Sequence, residues 1–235
     1  MTFNEFKQMT LLSMEEICRD IFRENQKSIK IKKEPVAVKN LANIFNTTLQ
    51  LSNAKGFSTM SLRDLSRSSG LSMGALYSYF TSKEELLEMI QEQGRRLTRN
   101  VLTRQVGPII HPSEKLHAAI RTHLYLTEVM HDWFYFSYME AKNLDKIQQK
   151  KAIESELATE QMFIDILEEG KLKKEFLVTD SVLTASVIKA MLQDWYVKRW
   201  KYARRRISVD QYADFIIGFV ESVIKPARVT TIREA

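Results

Sequence analysis

The chain has 235 residues, 44% of them hydrophobic, with only 7 Gly and 4 Pro, and a formal net charge of +6. That much apolar material excludes a disordered chain, and so few turn formers argue for long helices over many short strands. The charge suits a polyanionic partner, while Cys18, the only cysteine, rules out an intrachain disulfide and fits a reducing compartment. Glu5, Glu15 and Glu16 interrupt any apolar opening run, so no signal peptide is expected. No uncharged apolar stretch reaches about 18 residues, so no membrane span is expected and a cytoplasmic protein is the default reading.

Residues 3–26 are predicted to form one amphipathic helix, with Phe6, Met14, Ile17, Cys18, Ile21 and Phe22 on or near one face. The segment KSIKIKKEP, 27–35, follows, with Lys27, Lys30, Lys32 and Lys33 before Pro35. It reads as a solvated linker whose charge Glu24 and Glu34 dilute; a basic arm in a minor groove is the alternative. A helix over 36–54 carries Val38, Leu41, Phe45, Leu49 and Ser52 at three- to four-residue spacing, with Gly56 as its C-cap.

Ser61, with Asp64 three residues on, opens a short helix as in a capping box. Gly70 separates it from another short helix starting at Ser72. Ser82 with Glu85 then starts a long helix, striped by Leu86, Ile90, Leu97 and Val101, that ends at Gly107-Pro108. Five further helices are predicted over 113–130, 132–143, 146–169, 180–205 and 209–224. Gly170 is expected to stop the third, Ser208 with Gln211 to cap the last, and Pro226 to end it. No β pattern and no repeat is found, so the fold class is all-α.

The segment from Ser61 to Leu86 has the layout of a helix-turn-helix. Leu62 and Leu65 can pack on Leu71 and Leu76, leaving the second helix as a projecting rod that fits a major groove. Ser72, Met73, Gly74 and Ala75 are small or unbranched, which permits close approach to bases. Tyr77 lies one turn on, and Lys83 stands at the next helix start, where cation and backbone N–H groups both favour phosphate. Thr59, Ser61 and Arg63 are candidate phosphate contacts. Tyr79 joins the candidate DNA-binding set, although Tyr79 and Phe80 read more readily as core.

Two further clusters carry chemistry. Trp133, Phe134, Tyr135, Phe136 and Tyr138 crowd the helix of HDWFYFSYME; ordinary core is the first reading, and an apolar cavity lined by Trp133, Phe134, Phe136 and Tyr138 is the alternative. In DWYVKRWKYARRR, 194–206, six cations gather at a helix end. A solvated end is the simpler reading, and a clamp for an anionic ligand involving Trp195 and Arg199 is the other. The four histidines share no helix face suited to a metal. No Walker loop, HExxH, nucleophile elbow or dinucleotide loop appears, which argues against an enzyme and leaves no metal or cofactor to assign.

From Ile44 to Leu87 the sequence resembles the TetR family of transcription regulators. The pieces are Lys55-Gly56-Phe57, Ser61-Leu62-Arg63-Asp64-Leu65, Ser69-Gly70-Leu71-Ser72, Gly74-Ala75-Leu76-Tyr77, Tyr79-Phe80 and Ser82-Lys83-Glu84-Glu85-Leu86. Two departures stand out: Met73 where many members carry Lys or a polar residue, and Ser52 where members often carry Phe. The resemblance implies a helix-turn-helix domain (35–82) and a ligand-binding and dimerisation domain (83–235), preceded here by an N-terminal helical extension and basic linker (1–34) that is longer than usual for the family. It implies a homodimer through the last two long helices, here carrying Leu183, Val187, Met191, Phe215, Ile216 and Phe219. It also implies a roughly palindromic double-stranded operator and repression released by a small molecule, with acyl-CoA one effector class among several. A chromosome-organising or cell-division factor of the same fold, without an effector, is the alternative.

Overall fold

A computed structural model describes residues 1–10, 13–26 and 28–225. Among these residues there are twelve α-helices, one 3-10 turn and no strand, and no helix is long and apolar enough to cross a membrane. Leu11 and Leu12 of the expected first helix, Lys27 of the basic segment and Pro226 lie outside the described residues.

The chain divides into two compact units that do not follow the sequence boundaries at 34 and 82. The N-terminal unit takes Lys7–Asn100 and Val129–Ser155; the C-terminal unit takes Met1–Phe6, Val101–Glu128 and the residues from Glu156 onward. Packing is the reason. Residues 131–140 put Trp133 edge-on to Phe45, ring centres 5.8 Å apart, and Phe136 edge-on to Phe57 at 5.7 Å, so this helix shares a core with the first helices rather than with its sequence neighbours.

α1 (Phe3–Thr10) is divided between the units, its residues up to Phe6 belonging to the C-terminal one, and the N-terminal unit continues with α2 (Met14–Glu24) and α3 (Glu34–Lys55). The single helix expected over 3–26 is thus two. Ser13 is extended, at φ −100° and ψ 143°, and its hydroxyl accepts the Glu16 N–H, the hydrogen bond of an N-cap that starts a new helix. α2 packs along α3 through Ile17, Cys18, Ile21 and Phe22, all buried. Then come α4 (Leu62–Ser69), α5 (Met73–Leu76) and the long α6 (Lys83–Val106), whose last residues belong to the C-terminal unit. The aromatic helix is α8 (His131–Glu140), extended by a 3-10 turn over Ala141–Asn143. Ser52, the departure in α3, is buried with its Oγ 4.0 Å from the sulfur of Met60, itself 1% exposed, so Met60 occupies the space a larger side chain would take.

The C-terminal unit holds α7 (Pro112–Val129), most of α9 (Lys146–Leu172), α10 (Ser181–Val197), α11 (Arg199–Arg204) and α12 (Val209–Ile224). α12 starts at the expected capping box of Ser208 and Gln211. Gly170 does not stop α9; the helix runs on to Leu172. Glu175 and Phe176 N–H groups both donate to the Gly170 carbonyl, at 2.8 and 3.2 Å, and the Phe176 ring lies where a β-carbon on residue 170 would be. Glycine here permits close approach rather than a turn. The helix expected over 180–205 breaks at Lys198, φ −118° and ψ 36°, into α10 and α11.

Cys18 has no exposed surface, and burial pushes its thiol up to about 12. Only the thiolate alkylates. The native protein should therefore resist iodoacetamide at pH 8 over hours and take up one equivalent on unfolding; rapid native labelling, read by mass spectrometry, would show that α2 does not pack as described.

Candidate nucleic-acid interface

The reader is assembled from local bonds. Ser61 Oγ accepts the Asp64 N–H at 3.1 Å and the Asp64 carboxylate accepts the Ser61 N–H at 3.0 Å, completing the capping box at α4. Lys55 Nζ lies 2.8 Å from the same carboxylate, and this contact, helped by Ser61, holds Asp64 well below the usual carboxylate range. Gly70, at φ 69°, supplies the left-handed turn between α4 and α5. Ser66 Oγ donates to the Leu71 carbonyl at 2.6 Å and Asn43 Nδ2 to the Ser69 carbonyl at 2.7 Å, tying that turn to α4 and to α3. Ser72 caps α5 by accepting the Ala75 N–H at 3.2 Å. Leu65 and Leu76 are wholly buried, and Leu62 and Leu71 half-buried, as the packing argument required.

Ser72, Gly74 and Tyr77 come out together on the open side of α5. Tyr77 is 42% exposed, and a β-carbon on Gly74 would meet nothing within 4 Å. Met73 and Ala75 are half-buried. Thr59, Ser61 and Arg63 are exposed beside the start of α4, with Thr59 Oγ1 donating to the Lys55 carbonyl at 2.6 Å. Tyr79 leaves the candidate set: it is 1% exposed and its hydroxyl accepts from Asn40 Nδ2 at 2.9 Å, so it joins α3 to the reader from inside. Lys83 is half-buried, donating to the Ser58 carbonyl at 3.0 Å with its ammonium 4.6 Å above the Phe57 ring. Burial lowers its pKa from the ordinary lysine value, and part of its hydrogen-bonding capacity braces the 57–59 turn.

Four positioning residues escaped the sequence reading. Asn40 and Asn43 sit three apart on α3 and both bond to the reader. Asn53 Nδ2 donates to the Asp132 carbonyl at 3.0 Å, and the buried Glu140 carboxylate accepts the Phe57 N–H at 3.1 Å. The paired asparagines at helical spacing were the one visible signal; the others depend on a partner some 80 residues away, which no local pattern encodes.

The candidate effector residues divide between the two units. Trp133 and Phe136, at 2% and 1% exposure, are core of the N-terminal unit, with Trp133 Nε1 donating to the Ile90 carbonyl at 3.2 Å. Phe134 is half-buried and Tyr138 exposed. Trp195 is buried in the C-terminal unit between the rings of Tyr202 and Tyr212, 4.9 and 5.0 Å away. Arg199, 4.7 Å from the Trp195 ring, is held by Glu128 in a bidentate pair, both contacts at 2.8 Å. Three of the six cations are paired within the protein, Arg199 to Glu128 and Lys198 and Lys201 to Asp194, while Arg204, Arg205 and Arg206 are exposed. One Arg199 nitrogen, Nη1, is buried with no hydrogen-bond partner among the described residues. In the same unit, buried Lys189 Nζ lies 3.3 Å from Glu156 and 3.4 Å from His123 Nε2, and burial drives the His123 pKa well below its ordinary value.

α10 and α12 each leave an apolar strip uncovered. Leu183 and Val187 on α10, and Phe215, Phe219 and Val223 on α12, are all exposed. Gly218 lies on the same face of α12 with open space at its β position. Ile216 departs from the expected set, since it is 2% exposed and faces the unit's own core, and Met191 is half-buried.

Comparison with known proteins agrees with this layout. Residues 44–90 match the family "Bacterial regulatory proteins, tetR family", and residues 110–223 match "Tetracyclin repressor-like, C-terminal domain". The chain is 20% identical over 171 residues to the HTH-type transcriptional regulator HbdR of Aromatoleum sp. (strain CIB), covering 73% of this chain and 74% of that one. Its fold is similar to that of the TetR family transcriptional regulator PfmR from Thermus thermophilus, with a TM-score of 0.70 at 23% identity over 77% of this chain and 97% of that one. The same fold appears in AibR in complex with isovaleryl coenzyme A and operator DNA, with a TM-score of 0.68 at 19% identity over 78% and 97% of the two chains.

The Asp194 cluster sets an acid limit on the C-terminal unit. Partial burial works against the Asp194 carboxylate, but Lys201, Tyr202 and Lys198 outweigh it and hold its pKa at about 2. A depressed carboxyl contributes stability above its unfolded pKa of about 3.9, and that contribution disappears as pH falls through about 2. Asp194→Asn should lower unfolding stability at pH 7 by about 2 kcal/mol and flatten its pH dependence between 4 and 2. Urea titrations at fixed protein concentration read both; an unchanged acid limb would remove the cluster from the stability balance.

Proposed function

The chain belongs to the tetR family of bacterial regulatory proteins, and from that premise we propose that it is a dimeric, ligand-responsive repressor of a palindromic operator, with α5 as its reading helix. The observation that carries this is the exposed set Ser72, Gly74 and Tyr77 on a helix whose other side, through Leu76 and Tyr79, is locked into the core. A helix fixed in this way meets base edges without a large entropic loss on binding. Arg63, Thr59, Ser61 and the free capacity of Lys83 flank it as phosphate contacts, which fix register without reading sequence.

The apolar strips of α10 and α12 are the surface for a second copy of the chain. A two-fold dimer places two α5 helices on one side of the duplex, and successive major grooves accept them at about 34–36 Å or a multiple. α6 starts at the reader and ends among residues of the C-terminal unit, which makes it the covalent route by which an effector changes that spacing. Effector and operator then favour different conformations, and by linkage each weakens the other's binding. The neighbour holding isovaleryl coenzyme A makes acyl-CoA thioesters the first effector class to test.

Fluorescence anisotropy on DNA from upstream of the protein's own gene tests the reader. Wild type should bind it selectively over random duplex, and Tyr77→Ala should lose roughly tenfold or more, as for a base or phosphate contact of about 1–3 kcal/mol. Equal affinity for random DNA would sink the reading. Adding acyl-CoAs to the bound complex should release it if that effector class is correct. Phe215→Glu with Phe219→Glu should convert a dimer to a monomer in sedimentation velocity, and an unchanged dimer would move the interface elsewhere.

A further inference from the structure

The lysine-rich segment before α3 is anchored to the reader. Ile29 is wholly buried and its N–H donates to the Asn25 carbonyl at 2.9 Å. The Lys30 N–H donates to the Ser78 carbonyl at 2.9 Å, one residue past Tyr77. Lys32 Nζ closes the turn by donating to the carbonyls of Gln26 and Ile29, at 2.9 and 3.1 Å. Lys33 is the N-cap residue of α3. A solvated linker would show none of these attachments.

The acids expected to dilute its charge are engaged elsewhere. Glu34 faces α2, 3.5 Å from Arg19 and 3.7 Å from Arg23, and Glu24 pairs with Arg96 of α6. Lys30 and Lys33 are exposed. Lys33 also stands at the positive end of a 22-residue helix, where a cation opposes the helix dipole and an arriving anion is favoured by both.

Resting on the assignment of α5 as the DNA reader, we propose that Lys30 and Lys33 form a second nucleic-acid contact, gripping backbone phosphates that flank the base pairs α5 meets. The backbone bond from Lys30 to Ser78 fixes this contact in register with Tyr77. Contacts of this kind add affinity and salt dependence without adding sequence preference. The N-terminal extension thereby enlarges the footprint of the reader, with α2 neutralising Glu34 and residues 28–33 presenting Lys30 and Lys33.

The experiment is an anisotropy salt series on the operator and on a random duplex of equal length. It compares wild type, Lys30→Ala with Lys33→Ala, Lys30→Arg with Lys33→Arg, Tyr77→Ala, and Arg204→Ala with Arg205→Ala as a charge-matched control on the C-terminal unit. Each lost phosphate contact removes about 0.9 from the slope of log K against log salt, so two lysines in each of two protomers should remove roughly 3 to 4. The loss should appear on both duplexes, leave the operator-over-random ratio unchanged, and be absent from the arginine pair. An unchanged slope, or an equal loss in the control, overturns the proposal. If wild type binds both duplexes equally, the reader assignment fails while the slope still decides the lysine contact. If wild type binds neither, both fall.

Discussion

Helix α3 packs against three other helices along one broad apolar stripe, and the N-terminal unit is organised around that contact. Its buried residues include Ala37, Val38, Leu41, Ile44, Phe45 and Leu49, which recur at helical spacing and form one broad apolar stripe along the helix. α2, α4 and α8 each pack against it, so its apolar side chains are covered by three separate partners. Full burial of a residue of this size is worth about 1.5–3 kcal/mol, and together these contacts make α3 the rigid member to which the reader is referenced. Asn40 and Asn43 on its remaining polar side then bond to Tyr79 and to the Ser69 carbonyl. The orientation of α5 is thus fixed by the core and by side-chain amides, and not by α5 itself, which is a single turn.

α8 extends the same logic. Its Trp133 meets Phe45 and the Ile90 carbonyl, its Phe136 meets Phe57, and its Glu140 accepts the Phe57 N–H. A buried carboxylate is costly unless hydrogen-bonded, and Glu140 meets that requirement by fixing the turn that leads into α4. Lys83 braces the same turn from α6 through the Ser58 carbonyl and the Phe57 ring. Any displacement of α6 or α8 therefore acts on the 57–59 turn, which gives the reader a mechanical dependence on helices well outside its own sequence segment.

The N-terminal extension also has an account in contacts. Phe3 and Phe6 lie 5.6 and 5.7 Å from the Tyr125 ring, the Phe3 N–H donates to Asp210 at 3.0 Å, and Tyr125 donates to the same carboxylate. Those residues belong to the C-terminal unit, whereas α2 and the lysine turn belong to the N-terminal one. The described residues of the extension are therefore bonded first within the C-terminal unit and then within the N-terminal one.

Local chemistry determined the helices. The caps at Ser61, Ser72 and Ser208 and the left-handed Gly70 were legible because each depends on residues within four positions. The helix-turn-helix followed from the spacing of Leu65, Gly70 and Leu76 for the same reason. The sequence also carried the apolar strips of α10 and α12, although it did not separate outward Phe215 and Phe219 from inward Ile216, since neighbouring residues of one helix share composition and differ only in what they face. Only the tertiary structure decided the rest. Tyr79 is core because Asn40, 39 residues earlier, reaches its hydroxyl. Arg199 is bound because Glu128 on α7 meets it. The lysine segment is attached to the helix-turn-helix because Ser78 offers a carbonyl to Lys30. In each case a charge or hydroxyl that reads as available along the chain is assigned by a partner distant in sequence, and hydrogen bonds of that range leave no periodic trace in the residues that make them.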